Sequence, residues 1–234
     1  MKVVRTHDEF YLKENRKHNT KEYFKFIYNK SKEYIDEVKK PRILDIGCAT
    51  GDFLYFLSNN ISNCELTGMD VMDELLAKAK DEVKECNFIK SNIYTGENLP
   101  SKKFDYIYMS GVHSIFDDYK PWIDNLLKLK SDAGRIYVFG IFNPEKIDVI
   151  IKSRGYEENG PWQTGWNLFS KYGIEEYLNS KGFKCSFTEF KIGIDIDKNE
   201  NDPLRSWTFK DEFGDRQVIN GLQLLHKFYL MEII

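Results

Sequence analysis

The chain has 234 residues, 41% of them hydrophobic, which is enough for one substantial core and short for two ordinary domains, so one domain over 1–234 is expected. Its 34 Lys and Arg against 37 Asp and Glu leave a net charge of −3, which gives nucleic acid no global cationic field to follow. The opening MKVVRTHDEF lacks a leader's apolar stretch and no apolar run reaches the ~18 residues of a membrane span, so a soluble cytoplasmic protein without membrane or nucleic-acid partners is expected.

Residues 8–39 carry Phe10, Tyr23, Phe24, Ile27, Tyr34, Ile35 and Val38 at helical spacing before Pro41, which predicts a helical N-terminal segment over 1–40. Strand and helix then alternate. RILDIG (42–47) reads as a strand with DFLYFLSNN as its helix, and ELTGMD (65–70) as a strand followed by DELLAKAKDEV (73–83). Strands follow at 87–92 and 104–111, then a helix at 118–130 and a strand at 134–140. The rhythm loosens over 141–182, where PEKIDVIIKSRG suggests a helix, GPWQTGWNLFS an aromatic cover, and GIEEYLNSKGF another helix. Two further strands, 183–194 and 224–234, flank a polar and aromatic loop. The alternation predicts an α/β fold. Seven strands form an open sheet, mostly parallel with an antiparallel C-terminal edge, and helices cover both faces.

At the carboxyl end of the first strand, Asp45-Ile-Gly47-Cys48-Ala49-Thr-Gly51 places small residues where a backbone must turn sharply and approach a ligand closely. Asp70 ends the second strand, and an acid there can accept hydrogen bonds from two ribose hydroxyls. A tight βα turn with Asp70 as a helix cap is the plain alternative for either feature alone. A nicotinamide site is the near rival, but G-C-A-T-G-D departs from G-x-G-x-x-G.

With this motif the sequence resembles the class I S-adenosylmethionine-dependent methyltransferases, whose first motif is an acid followed by Gly-x-Gly-x-Gly after a hydrophobic strand. Ala49 stands at the middle glycine. The resemblance spans 42–140 and implies a Rossmann-like sheet and S-adenosylmethionine as cofactor, leaving as S-adenosylhomocysteine. It implies that Asp45 orients the methionyl ammonium, that Gly47, Cys48, Ala49 and Gly51 line the cofactor, and that Asp70 holds ribose. Val71 and Met72 then face adenine, Asn92 accepts from adenine N6 through its amide oxygen beside Ile93, and Ser110 adjoins the sulfonium.

Methyl transfer is an in-line displacement, so alignment of acceptor and methyl group matters most, and a base helps when the acceptor is a hydroxyl. His113, three residues past the fourth strand, is the candidate base; a histidine packed under the cofactor is the plain alternative. His226 in the last strand reads as structural. Tyr11, Tyr23, Trp166 and Trp207 are candidates for an apolar acceptor cover, and Arg154 and Arg205 for binding its carboxylate or phosphate. Core packing and solvated surface arginine are the alternatives. The run Asp195-Asp197-Asn199 fails as a calcium loop because Glu200 and Ser206 stand where Gly and Glu are needed, and Asp117 and Asp118 lack a third ligand. Cys48, Cys64, Cys86 and Cys185 are far apart, so no metal is expected.

The reading is methyl transfer to O or N of a small polar metabolite, such as a sugar, a nucleotide-linked intermediate or a phosphorylated precursor of surface polysaccharide. A methyltransferase of RNA or protein and a silent binding module remain alternatives.

Overall fold

A computed structural model describes residues 11–12, 19–156 and 160–234. The first part of the predicted N-terminal helical segment, including His7, Phe10 and His18, lies outside the described residues.

The order is α1 (Glu22–Asp36), β1 (Arg42–Ile46), α2 (Asp52–Ser58), β2 (Glu65–Asp70), α3 (Asp73–Glu82), β3 (Asn87–Lys90), β4 (Phe104–Ser110), α4 (Lys120–Leu129) and β5 (Lys130–Ile141). After these come β6 (Lys152–Ser153), β7 (Gln163–Thr164), α5 (Lys171–Ser180), β8 (Cys185–Phe190), β9 (Trp207–Lys210), β10 (Arg216–Ile219) and β11 (Phe228–Ile233). Seven strands form one sheet in the order β3-β2-β1-β4-β5-β11-β8. The β1–β5 neighbours pair in parallel, and β11 runs antiparallel to both β5 and β8. The expected sheet, with its antiparallel C-terminal pair, is present.

Alternation along the central strands sorts the core into two layers, because successive side chains leave a strand on opposite faces. Ile43, Tyr106, Tyr108, Tyr137, Phe139 and Leu230 meet Phe24 and Ile27 of α1 and Leu54 and Leu57 of α2. Leu44, Ile107, Met109, Val138 and Met231 meet Trp122, Ile123 and Leu126 of α4 and Ile174 and Leu178 of α5. Both faces of β1, β4 and β5 are thus covered, as a parallel sheet requires. On the α1 side, the hydroxyl of Tyr108 donates to Ser31 Oγ at 2.8 Å and that of Tyr106 to the Tyr34 carbonyl, which satisfies polar groups inside an apolar layer.

The predicted helix over PEKIDVIIKSRG is not formed. Asn143 instead accepts the Glu145 amide in a turn, and Val149 exchanges backbone hydrogen bonds with Leu168. The run Ile147-Asp-Val149-Ile150-Ile151 is rich in β-branched residues, which favour an extended chain once a neighbouring segment supplies hydrogen bonds. The polar loop before β11 carries the β9–β10 hairpin, another element the periodicity did not separate. No helix of the described residues is long and apolar enough to cross a membrane.

Candidate active site

In a parallel sheet of this kind ligands gather at the carboxyl ends of the strands, where the order of connection reverses. Here that point lies between β1 and β4. The turn leaving β1 is held by its own backbone: the Gly47 and Cys48 amides donate to the Met69 carbonyl at 2.7 and 3.1 Å, and the Gly51 amide to Cys48 at 2.8 Å. Gly47, Ala49 and Gly51 take left-handed φ values of 69°, 47° and 82°. A β-carbon on Gly47 would stand 2.2 Å from Val112 Cγ2, so the turn after β1 and the exit of β4 approach without room for a side chain.

Asp70 organises the turn from the neighbouring strand. One carboxylate oxygen accepts the Ala49 amide and the other the Met72 amide, each at 3.0 Å. Val71, 52% exposed, and half-buried Met72 follow as an apolar ledge.

Asp45 is 3% exposed, and among the described residues no hydrogen bond or ion pair reaches its carboxylate. Burial first, and the charge of Asp70 second, push its carboxyl well above the usual range. A buried acid with an acid as its electrostatic neighbour is a site that gains from a cation. The ammonium and ribose of S-adenosylmethionine therefore fit the groups present: a buried acid for the cation, and in Asp70 a carboxylate, which accepts, for a diol.

Other predicted cofactor contacts are placed differently. Cys48 is buried at 5% and its side chain belongs to the core, where burial raises its thiol well above the ordinary value; only its backbone lines the turn. The Ile93 side chain is likewise a core residue at 4% exposure. The Asn92 amide oxygen already accepts the Tyr94 and Thr95 amides, at 2.9 and 3.2 Å, in a turn after β3. The expected acceptor is thus engaged, and the side chain has its NH2, a donor, to offer. The Ser110 hydroxyl, at the end of β4, is buried without a hydrogen-bond partner among the described residues.

His113 is fully buried rather than presented to an acceptor. Its Nε2 donates to the Ile141 carbonyl at 2.9 Å, and its ring stacks on Phe142 at 4.4 Å between centroids. Burial pulls its pKa down to about 4. The expectation of an accessible base at this position is not met by the geometry.

The structure instead joins aromatic residues along the same edge of the sheet. Tyr23 of α1 stacks on Phe139 at 4.7 Å, Phe139 on Phe228 at 5.8 Å, and Phe228 meets His226 edge-on at 5.8 Å. Trp166 stacks on His226 at 5.0 Å. Phe139 pairs with Ser110 across β4 and β5, which places the start of this series beside the exit of β4. Buried Asn167 fixes the Trp166 loop to the segment after β4: its backbone amide donates to Ser114, its side-chain NH2 to the Phe116 carbonyl, and its oxygen accepts Ile151 N–H.

The remaining candidates are scattered. Lys21 lies over the rings of Tyr11 and Tyr23. Arg154 is exposed over Trp162, Arg205 lies 3.5 Å from the Asp202 carboxylate, and Trp207, in β9, lies under Lys198. Phe139, Phe228, His226 and Asn167 were missed as site residues. A signal for His226 existed, since a last strand running antiparallel must begin at the carboxyl edge.

Residues 44–136 match a family described as a methyltransferase domain. Residues 44–136 thus make up a methyltransferase domain, and the sheet that carries them has the fold of the S-adenosylmethionine-dependent methyltransferases. Similar curated proteins are trans-aconitate 2-methyltransferases. That of Agrobacterium fabrum is 24% identical, over 72% of this chain and 69% of its own. That of Yersinia pestis is 28% identical over 52% of this chain, and the match spans about half of that relative, 46%. A solved structure of DhpI with S-adenosylhomocysteine shares the methyltransferase's fold with a TM-score of 0.60, at 12% identity, over 99% of this chain and 96% of that one. S-adenosylmethionine is the cofactor of this methyltransferase.

Proposed function

We propose that this methyltransferase transfers a methyl group to an oxygen or nitrogen of a small polar metabolite, with an organic acid as the leading acceptor class. The observation that carries the reading is the aromatic series from Tyr23 through Phe139 and Phe228 to His226 and Trp166, which starts at the exit of β4 and is built of uncharged rings. The names of the curated relatives, whose acceptor is trans-aconitate, favour an acid among polar metabolites. A sugar, a nucleotide-linked compound or a phosphorylated polysaccharide precursor belongs to the same broad class.

When bound, S-adenosylmethionine supplies an electrophilic methyl group on a sulfonium. In this reading Asp45 binds the ammonium, Gly47, Ala49 and Gly51 give the backbone its close approach, and Asp70 accepts from the ribose hydroxyls. Val71 and Met72 flank adenine, and Asn92 donates to a ring nitrogen through its NH2. Tyr23 of α1 and the loop that carries Trp166 flank the acceptor, while alignment of acceptor and methyl group is the main task left to the protein. A carboxylate acceptor is already deprotonated at neutral pH and needs no base, which agrees with the burial of His113.

The test is a metabolite screen that follows release of S-adenosylhomocysteine and identifies the methylated product by mass. Turnover with small acids or other small polar metabolites supports the reading, and turnover confined to RNA or protein overturns it.

A further inference from the structure

His226 stands two residues before β11, whose first residue, Phe228, pairs with Ile141 at the end of β5, so the histidine lies on the same edge as the cofactor turn. It is 6% exposed, Trp166 stacks on its ring, and its two nitrogens are treated differently. Nδ1 lies 3.1 Å from the Ser206 hydroxyl, whereas Nε2 is buried with no hydrogen-bond partner among the described residues.

Either the Ser206 hydroxyl or Nδ1 can donate in this contact, and which one does sets the tautomer. Among the described residues the Ser206 hydroxyl has Nδ1 of His226 as its hydrogen-bond partner. A hydroxyl that donates to Nδ1 leaves the proton of a neutral imidazole on Nε2. Burial draws the ring's pKa down to about 4, so the ring is neutral near pH 7. With the hydroxyl as donor, Nε2 carries an N–H out of water with no acceptor among the described residues, an unfavourable state. A phenylalanine would fill this stack without that cost, so packing alone does not account for an imidazole.

We propose that Nε2–H of His226 binds an sp2 oxygen, carboxylate or carbonyl, of the methyl acceptor, and that Ser206 is the positioning residue that makes this nitrogen a donor. This rests on the small-molecule reading above and names the group the acceptor presents. Nε2 does not touch solvent, so the arriving oxygen displaces a neighbouring side chain. Half-buried Trp166, held at a left-handed φ of 63°, is the loop-borne neighbour on the ring. Stacked aromatic residues on the β4 side receive the apolar part of such a molecule, and the donor fixes its orientation.

The experiment is calorimetry on the full chain saturated with S-adenosylhomocysteine, using trans-aconitate, citrate and succinate as probes, with matching alcohols as controls. At least one acid should bind and its alcohol counterpart should not. His226→Ala should weaken that binding by roughly 10- to 100-fold, the range for a hydrogen bond to a charged group. His226→Gln, whose amide keeps a donor, should stay within about 3-fold, and Ser206→Ala should fall between them. S-adenosylhomocysteine affinity should be unchanged in all three, which also reports that the fold is kept. Nitrogen NMR should find the free ring protonated on Nε2. Equal acid binding in His226→Ala, a proton on Nδ1, or no acid binding while S-adenosylhomocysteine binds would each overturn the proposal and leave the methyltransferase reading intact. Failure of S-adenosylhomocysteine itself to bind would instead remove the reading on which it rests.

Discussion

The α-hydrogen side of Gly47 faces Val112 so closely that a β-carbon there would come within 2.2 Å of Cγ2, and the backbone at Gly47 is left-handed at φ 69°. Two independent penalties therefore meet at one position. Gly47→Ala should lower cofactor affinity by more than about 10-fold through strain and displacement of the β4 exit. Adding Val112→Ala should recover only part of it, because the steric clash is relieved and the φ strain is not. Calorimetry on the two variants checks this; full recovery would assign the whole effect to the clash.

Asp45 is buried with the Asp70 charge near its carboxyl, and among the described residues no cation pairs with it. Asp45→Asn should raise the melting temperature of the ligand-free protein, since an amide escapes the desolvation and like-charge cost. The same change should weaken S-adenosylmethionine binding by about 10-fold or more by removing the ammonium's counter-charge. Thermal melts with and without cofactor should therefore move in opposite directions. A fall in the ligand-free melting temperature would show that the acid is already satisfied.

Asn167 makes hydrogen bonds to the segment after β4 and to Ile151 from a fully buried position. Its removal strands a carbonyl at Phe116 and an amide at Ile151. Asn167→Ala should cost about 1–3 kcal/mol per unsatisfied group and should raise the acceptor KM more than the cofactor Kd, because the loop it fixes carries Trp166. Chemical denaturation and steady-state kinetics provide the two readouts. An equal effect on cofactor and acceptor would place the loop's influence elsewhere.

Two histidines tie stability to pH. Both His113 and His226 are buried and drawn down to about 4 from an ordinary value of 6.5. As pH falls from 6.5, the unfolded chain binds protons that the folded chain refuses, so stability present above pH 6.5 is lost progressively toward pH 4. The loss is on the order of 3 kcal/mol per ring at most. Asp45, whose raised carboxyl takes up a proton in the folded state first, acts in the opposite direction. Denaturant midpoints measured between pH 7 and 4 should decline, and His226→Gln should flatten the slope.

The cofactor half was legible because its signals are local and backbone-borne. Strand, glycine turn and following acid recur within a short stretch, and the geometry of Gly47, Ala49, Gly51 and Asp70 follows from sterics that a sequence encodes directly. The acceptor side was not, since it depends on which distant strands become neighbours. Tyr23, Phe139 and His226 come from three separate parts of the chain, and stacking between them has no periodic trace. His113 was misplaced for a related reason. Its distance past β4 is readable, but the turn of the ring toward the Ile141 carbonyl is set by tertiary packing. The PEKIDVIIKSRG segment failed where apolar spacing suited a helix while its β-branched residues and a partner at Leu168 favoured extension.

The placement of β11 between β5 and β8 bears on how the chain reaches its native state. During synthesis β5 and β8 emerge well before the strand that separates them, so each presents an open edge with nothing to pair to. Either they wait, or they join each other in parallel and must part again to admit residues 228–233. Closure of the sheet is therefore a late, non-local event with a high loop-closure cost, and the exposed interval is when aggregation competes. Met231 and Ile233, both fully buried, supply the apolar anchorage that draws the strand in. Polar substitutions at these two positions would trap soluble yield during expression well before they altered any group that touches cofactor or acceptor.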